Sequence, residues 1–487
     1  MKKRILQNRT LSALLVSLLV LLLAVPSVLA VGSSGLTPRT LDVETGIRLT
    51  LNGLPYAPLD TTGRPASQFL HNGTTYLPAR ALSQALGVDI AWKADGSVVS
   101  IGRDEAADAA RYLKAWFGID ALPDPVTPAA MSAALEKLGT SGTLPASGSL
   151  TPLDGVRASL EAAGLKELAL TYPASKAEAT LKAARISGIT GENALYVAAA
   201  LDSGLMPSWI PLSGNLDSGT ASVLLLNTAD ALGKGRNYLG YTTDPEIGSR
   251  LVNAWNSFTL LDEAVLDEVG QGVVEDEATT GYLLTYSGFA SRFLPENTIA
   301  YDHSDITHAR QLVGLLASEN ITARVALQPK KSVYRYDLAW GPIGDPTPTY
   351  RVEKVSDDLY LAHTIGYMLE LEFLRPADKA AFDALVVKYA KKSGDHSAAV
   401  GVIKGSYWQP QYSSSSSLPA EGRNGYIRLD DVSLGNNGYV LNTFILPDLT
   451  DELVDAIEAI RPEADVSVKD VWANQAFHRY LTGESHD

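Results

Sequence analysis

The densest set of reactive side chains in the sequence is Asp302-His303-Ser304-Asp305-Ile306-Thr307-His308. Two imidazoles among carboxylates offer two kinds of chemistry. One is metal ligation, which needs three or four converging donors; His363 and His396 are the distant histidines that could complete such a set. The other is hydrolysis, with Ser304 as nucleophile beside a His base and an Asp. No Gly-x-Ser-x-Gly elbow surrounds Ser304, however. The plainer account is a polar helix start, where the dipole favours the carboxylates. That account leads, so no metal and no cofactor is assigned; His303, Asp305 and His308 stand as the catalytic candidates. A different chemistry, stacking on sugar rings, is open to the late aromatics, with Trp340, Trp408 and Tyr412 as binding candidates. Aromatics that alternate along strands also serve as half-buried cross-strand pairs, which is the plainer account of these.

The elements that must position the cluster can be read from spacing. Ala309, Leu312, Val313, Leu315 and Leu316 form one apolar stripe, predicting a helix over residues 306–318 with Asp305 as its N-cap. Two strands are expected next, over residues 323–327 and 333–340. A strand carrying Leu369, Leu371 and Phe373 then leads to a helix from about Ala377 to Lys391. Ser413 to Ser417 reads as a loop.

The N-terminal residues point to export. Met1-Lys2-Lys3-Arg4 and Arg9 precede an apolar run from Leu11 to Val25, then Pro26, then Val28-Leu29-Ala30. That is the order of a secretory signal peptide, cleaved after Ala30. The run is about 15 residues, short of the roughly 20 that span a bilayer. No later stretch is long and apolar enough, so no membrane span is expected after cleavage. The whole chain has no Cys in 487 residues. That excludes structural disulfides, thiolate zinc sites and a Cys nucleophile, and fits a bacterial exoprotein. The net charge is −15, and removing residues 1–30 takes away four basic side chains and no acid, leaving −19. Nucleic acid is therefore not an expected partner.

Between the leader and the reactive cluster, residues 31–45 read as a linker. Residues 46–103 alternate short strands with turns at Asn52-Gly53, Asn72-Gly73 and Asp95-Gly96, around a helix over residues 79–86 that Gly87 ends. The run Asn72-Gly-Thr-Thr-Tyr-Leu-Pro-Ala-Arg-Ala-Leu, with Ala85-Leu86-Gly87 and Trp92, resembles the copper amine oxidase N-terminal-like (stalk) domain. That resemblance implies an exported Gram-positive protein and a module without copper or oxidase chemistry. Residues 104–236 are Ala- and Leu-rich. Capped helices open at Thr127-Pro128, Thr151-Pro152 and Asp217-Ser218, each ending at a Gly, with a further helix over residues 196–204. This region resembles the S-layer homology repeat, but the Thr-Arg-Ala-Glu opening whose Arg helps bind wall polymer is absent. The resemblance therefore implies a helical spacer.

In residues 237–487, Ala309, Leu315-Leu316, Ile321, Ala323-Arg324-Val325, Trp340 and Asp345-Pro346-Thr347 are similar to a transglutaminase-like core. By that resemblance Asp305 stands where the catalytic Cys would be. Val333-Tyr334-Arg335-Tyr336 lacks the expected His, and only Asp345 matches. A carboxylate cannot replace the thiolate, so the resemblance implies a fold without its active site. The expectation is an α+β, multidomain chain: a small β-rich stalk module, a short-helix repeat region and a larger mixed α/β domain. Its expected role is that of a secreted or cell-surface protein with a non-catalytic structural or binding function, its partner a cell-wall polymer or another envelope protein. The alternatives are a hydrolase using His303, Asp305 and His308, or a cell-wall glycan-binding protein using the C-terminal aromatics.

Overall fold

The computed structural model describes residues 40–51, 54–60, 62–79, 90–93, 98–101, 104–389, 411–416 and 426–482. The expected leader, the helix after Ala79, the Asp95-Gly96 turn, His396 and Trp408 lie outside them. The chain divides into two compact units, Met1–Glu105 and Ala106–Asp487.

In the first unit, antiparallel pairs join β1 (Leu49–Leu51) to β2 (Leu54–Tyr56), β3 (Phe69–His71) to β4 (Thr74–Tyr76), and β5 (Ile90–Lys93) to β6 (Val98–Ile101). The β3–β4 register pairs His71 with Thr74, so Asn72-Gly73 is a two-residue turn. Both take positive φ, 48° and 74°, as a type I′ hairpin turn requires. Phe69 stacks on Tyr76 across that hairpin at 5.1 Å.

The second unit opens within α1 (Glu105–Phe117) and continues through α2 (Pro128–Lys137), α3 (Pro152–Ala162), α4 (Lys166–Leu170), α5 (Ala174–Ala183), α6 (Glu192–Asp202) and α7 (Ser218–Ala231). Thr127, Thr151 and Asp217 cap α2, α3 and α7 as their sequence positions predict. Gly139, Gly164 and Gly233 follow those helices in the left-handed region, where a Cβ would be strained. The buried faces of these helices meet in one core around Tyr112, Leu135, Val156, Tyr196 and Leu225. Thr151 and Asp154 form a reciprocal capping box. Thr151→Ala is expected to lower stability by about 1 kcal/mol, measured by urea unfolding; no change would show that the cap is redundant.

The rest of the chain comprises β7 (Gly240–Tyr241), α8 (Ile247–Trp255), α9 (Ala264–Glu275), β8 (Gly281–Tyr286), β9 (Thr298–His303), α10 (Ile306–Ser318), β10 (Ala323–Arg335), β11 (Tyr350–Lys354), β12 (Tyr360–Phe373), α11 (Pro376–Tyr389), β13 (Tyr412–Ser414), β14 (Tyr426–Asn436), β15 (Tyr439–Ile445), α12 (Thr450–Ile460), β16 (Val466–Asn474) and α13 (Gln475–Leu481). Among the described residues eight strands close a barrel in the order β12-β9-β13-β16-β14-β15-β8-β10, with β10 pairing back to β12. Every pairing is antiparallel; β11 extends the edge of β12 and β7 that of β10.

The two strands expected at 323–327 and 333–340 are one strand that ends at Arg335, paired with β12 from Ala323↔Phe373 to Arg335↔Leu361. Pro329 lies inside this strand although proline cannot donate to a ladder. The carbonyls of Ala323 and Val325 accept from Thr242 and Leu239, on the side away from β12. Alternation turns Pro329 to that same side. There it falls between the β7 pairing at 324–325 and the β8 pairing at 331–334, where no strand needs its N–H. Beyond Arg335 the chain leaves the sheet for a short 3₁₀ turn, Leu338–Trp340.

Alternation also sorts the two faces of the barrel. Val325, Leu327, Leu369, Leu371 and Phe373 face outward into a core with α8, α10 and α11, and Val333, Leu361 and Leu441 into a core with α9 and α12. The inward face is mostly polar. At one end Arg324 pairs with Glu372 at 2.6 Å and reaches Asp108 of α1 at 3.1 Å, so the helical layer meets the barrel there. Leu429, Val471 and Ala473 instead meet Phe477 of α13, which fills part of the lumen. No helix among the described residues is long and apolar enough to cross a membrane.

Candidate functional site

The reactive cluster lies where β9 ends and α10 begins. Asp305 is the N-cap, accepting the Thr307 N–H at 2.8 Å. Burial opposes its charge, but the Thr307 bonds outweigh burial and hold its pKa below the usual carboxylate value. Tyr367 of β12 secures the same turn: its hydroxyl donates to the Asp305 carbonyl at 2.8 Å and accepts the Ala309 N–H at 3.1 Å. The barrel wall thus satisfies one of the helix's otherwise orphaned N–H groups.

The two histidines meet. His303 Nδ1 accepts the Asp305 N–H at 2.8 Å, and His303 Nε2 lies 3.0 Å from His308 Nδ1. A nitrogen that accepts carries no proton, so the neutral His303 is protonated on Nε2 and donates to His308. The His303 ring also lies nearly parallel to that of Tyr301, centroids 5.9 Å apart. Burial, with the neighbouring His308, pushes the His303 pKa down to about 4. A general base needs a nitrogen free to take a proton, and His303 has both committed. Among the described residues no group of three or more His, Asp or Glu side chains could hold a metal ion. His363 belongs elsewhere, on the outer face beside Lys331 and Arg351.

The barrel end opposite α1 opens into a cavity of about 670 Å³. Inward alternation places Lys330 and Ser332 of β10, Thr364 of β12, Asp302 of β9 and Asn442 of β15 on its wall. Lys330 sits opposite Gly366 in the register, where a Cβ would come within 3.0 Å of the His303 carbonyl and 3.5 Å of Lys330 Cε. The tighter of the two is the backbone contact, so the glycine lets β12 approach the end of β9 closely. Lys330 Nζ is 3.1 Å from Asp302 Oδ1, yet Oδ1 has no aligned hydrogen bond. Below them Gln328 donates to Glu370 at 2.5 Å, and burial raises the Glu370 pKa. Phe444, Tyr350 and Trp255 add aromatic wall. His303 and Ser304 also line the cavity.

Of the described binding candidates, Tyr412 does not line that cavity. Tyr412 is buried, its ring covered edge-on by Phe382 and Tyr426 and its hydroxyl bonded to Asp383. It is a packing residue with no face open to a sugar. Trp340 closes the 3₁₀ turn, and Asp345 lies exposed beyond it. Lys330, Ser332, Thr364 and Asn442 were not singled out by motif, though the alternation of Lys330 and Ser332 with Val325, Leu327 and Val333 was present in the sequence.

The chain matches no protein-family model, no curated protein and no solved structure. Function therefore has to rest on geometry and on the sequence features themselves.

Proposed function

We propose that the protein is an exported, cell-surface protein of a Gram-positive envelope with a non-catalytic binding role, and that it binds through the barrel lumen. The observation that carries this is the polar cavity at one end of a barrel whose other end is ion-paired to α1. A concave site with a few converging polar groups and aromatic walls is the form that binding sites take. A hydrolase has less support, because Asp305 caps a helix and His303 has both nitrogens engaged. Export rests on the charged, apolar and small-residue order of residues 1–30. In this proposal residues 46–103 are a stalk-like spacer and the short-helix region a second spacer without the wall-binding Arg.

The full chain, incubated with purified Gram-positive cell-wall fractions and sedimented, is expected to be retained. Thr364→Phe, which fills the open half of the lumen, is expected to reduce that retention. Equal recovery of both proteins in the supernatant would count against a wall-binding role. Retention unaffected by Thr364→Phe would place the contact outside the barrel.

A further inference from the structure

We infer that the lumen cavity takes a short neutral saccharide, with Lys330 and Asp302 bonding its hydroxyls. This rests on the binding role proposed above and narrows its ligand.

Size comes first. A volume of about 670 Å³ lies within the roughly 300–1,000 Å³ typical of small-molecule sites, which admits two or three sugar rings and excludes a folded partner. Charge comes second. The charged pair in the open half is one lysine and one aspartate, 3.1 Å apart, with side chains 9% and 12% exposed. Asp431, behind Asn442, faces Lys469 across the β14–β16 pairing. Glu370, deeper in the lumen, is bonded by Gln328. An anion entering here would oppose Asp302, and a cation would oppose Lys330. A neutral polyol opposes neither.

Hydrogen-bonding capacity selects further. An ammonium has three donors and no acceptor, and a carboxylate only acceptors. The Lys330–Asp302 contact is close but poorly aligned, so Asp302 Oδ1 remains without a hydrogen bond. A hydroxyl both donates and accepts. Adjacent hydroxyls on one ring can donate to Asp302 and accept from Lys330 together, while Ser332, Thr364 and Asn442 serve others. Phe444 and Tyr350 offer apolar surface to the C–H faces of a ring.

The test is calorimetric titration of the full chain with cellotriose, maltotriose and tri-N-acetylchitotriose. Trigalacturonate and inorganic phosphate serve as anionic probes. At least one neutral trisaccharide is expected to bind with a dissociation constant of about 1 mM or tighter. Lys330→Met and Asp302→Asn are each expected to weaken it about tenfold or more, the effect of losing a bond to a charged group. Thr364→Phe keeps the charged pair and is expected to abolish binding, with circular dichroism confirming that each variant folds. Binding of the anionic probes alone would overturn the saccharide and leave a binding role standing. Saccharide binding indifferent to all three variants would overturn the site. Retention on cell wall without saccharide binding would overturn the ligand only; failure of both would remove the binding role as well.

Discussion

Lys331→Ala is expected to lower the unfolding free energy of the barrel unit by about 3–5 kcal/mol, the usual cost of removing one partner from a buried ion pair. Lys331 is the buried charge on the largely apolar outer face of β10. It is fully buried, with Nζ 2.9 Å from Asp262 and 2.7 and 2.8 Å from the two oxygens of Asp267. The Tyr282 hydroxyl also donates to Asp267 at 2.8 Å. Asp267 stands in the first turn of α9, so this network fixes both α9 and the segment before it to the barrel wall. Without the ammonium, the Asp267 carboxylate, 14% exposed, loses its cationic partner and retains only the Tyr282 hydroxyl and the Glu263 N–H. The matched control is Asp262→Ala. Asp262 is 52% exposed and is held by Arg351 through two bonds. An ion pair this open to water contributes about 0–1 kcal/mol. Urea unfolding of the three proteins should rank Lys331→Ala far below Asp262→Ala. Equal, small losses would mean that water reaches the lysine and that the network is only a surface feature.

The local signals were legible because each is written in a few adjacent residues. Asp305 and the stripe from Ala309 to Leu316 define α10 to the residue. Thr151-Pro152 with Asp154 specifies a helix start, and Asn72-Gly73 a hairpin. Closure of the barrel was not legible, because it depends on β12 pairing with both β10 and β9 across long stretches of chain. The continuity of β10 through Pro329 was hidden for a related reason: whether a proline breaks a strand depends on which neighbour faces its missing N–H, and that is a tertiary fact. The lumen was half-written. Arg324, Gln328, Lys330 and Ser332 alternate with Val325, Leu327 and Val333, and Glu370 and Glu372 with Leu369, Leu371 and Phe373. Such period-two polarity ordinarily marks a face turned to water. Only closure turns that face inward and makes it a site, whereas the His303–His308 motif at its rim is written in adjacent residues.

Stability is expected to fall as pH drops from about 6.5 toward 4, and His363 is expected to carry a large share of the fall. His363 is fully buried on β12; its nitrogens have no hydrogen-bond partner, and Nε2 lies 3.5 Å from Glu353. Burial, reinforced by repulsion from Arg351 and Lys331, pushes its pKa down to about 4, although Asp267 and Asp262 pull the other way. Its unfolded value is about 6.5. Between those limits the unfolded chain binds a proton that the folded chain refuses. The stabilisation is complete above 6.5, shrinks through the window and is gone below 4. At about 1.4 kcal/mol per pH unit, His363 accounts for roughly 3 kcal/mol across the whole window. His303, also depressed to about 4, acts in the same direction. Asp262 and Asp305 have lowered values, so their loss begins where the unfolded carboxylates start to protonate, at the acid edge of the window, and runs on below it. Glu370 and Asp431, raised by burial, act oppositely as they protonate. The informative quantity is therefore a difference between proteins rather than one pH profile. His363→Leu removes a buried group with unmet hydrogen bonds and fills the same space, so little is lost at pH 7.5. Urea unfolding at pH 7.5 and 4.5 should show the variant losing less than the parent, by about 2 kcal/mol. Parallel losses would mean that His363 protonates freely in the folded protein.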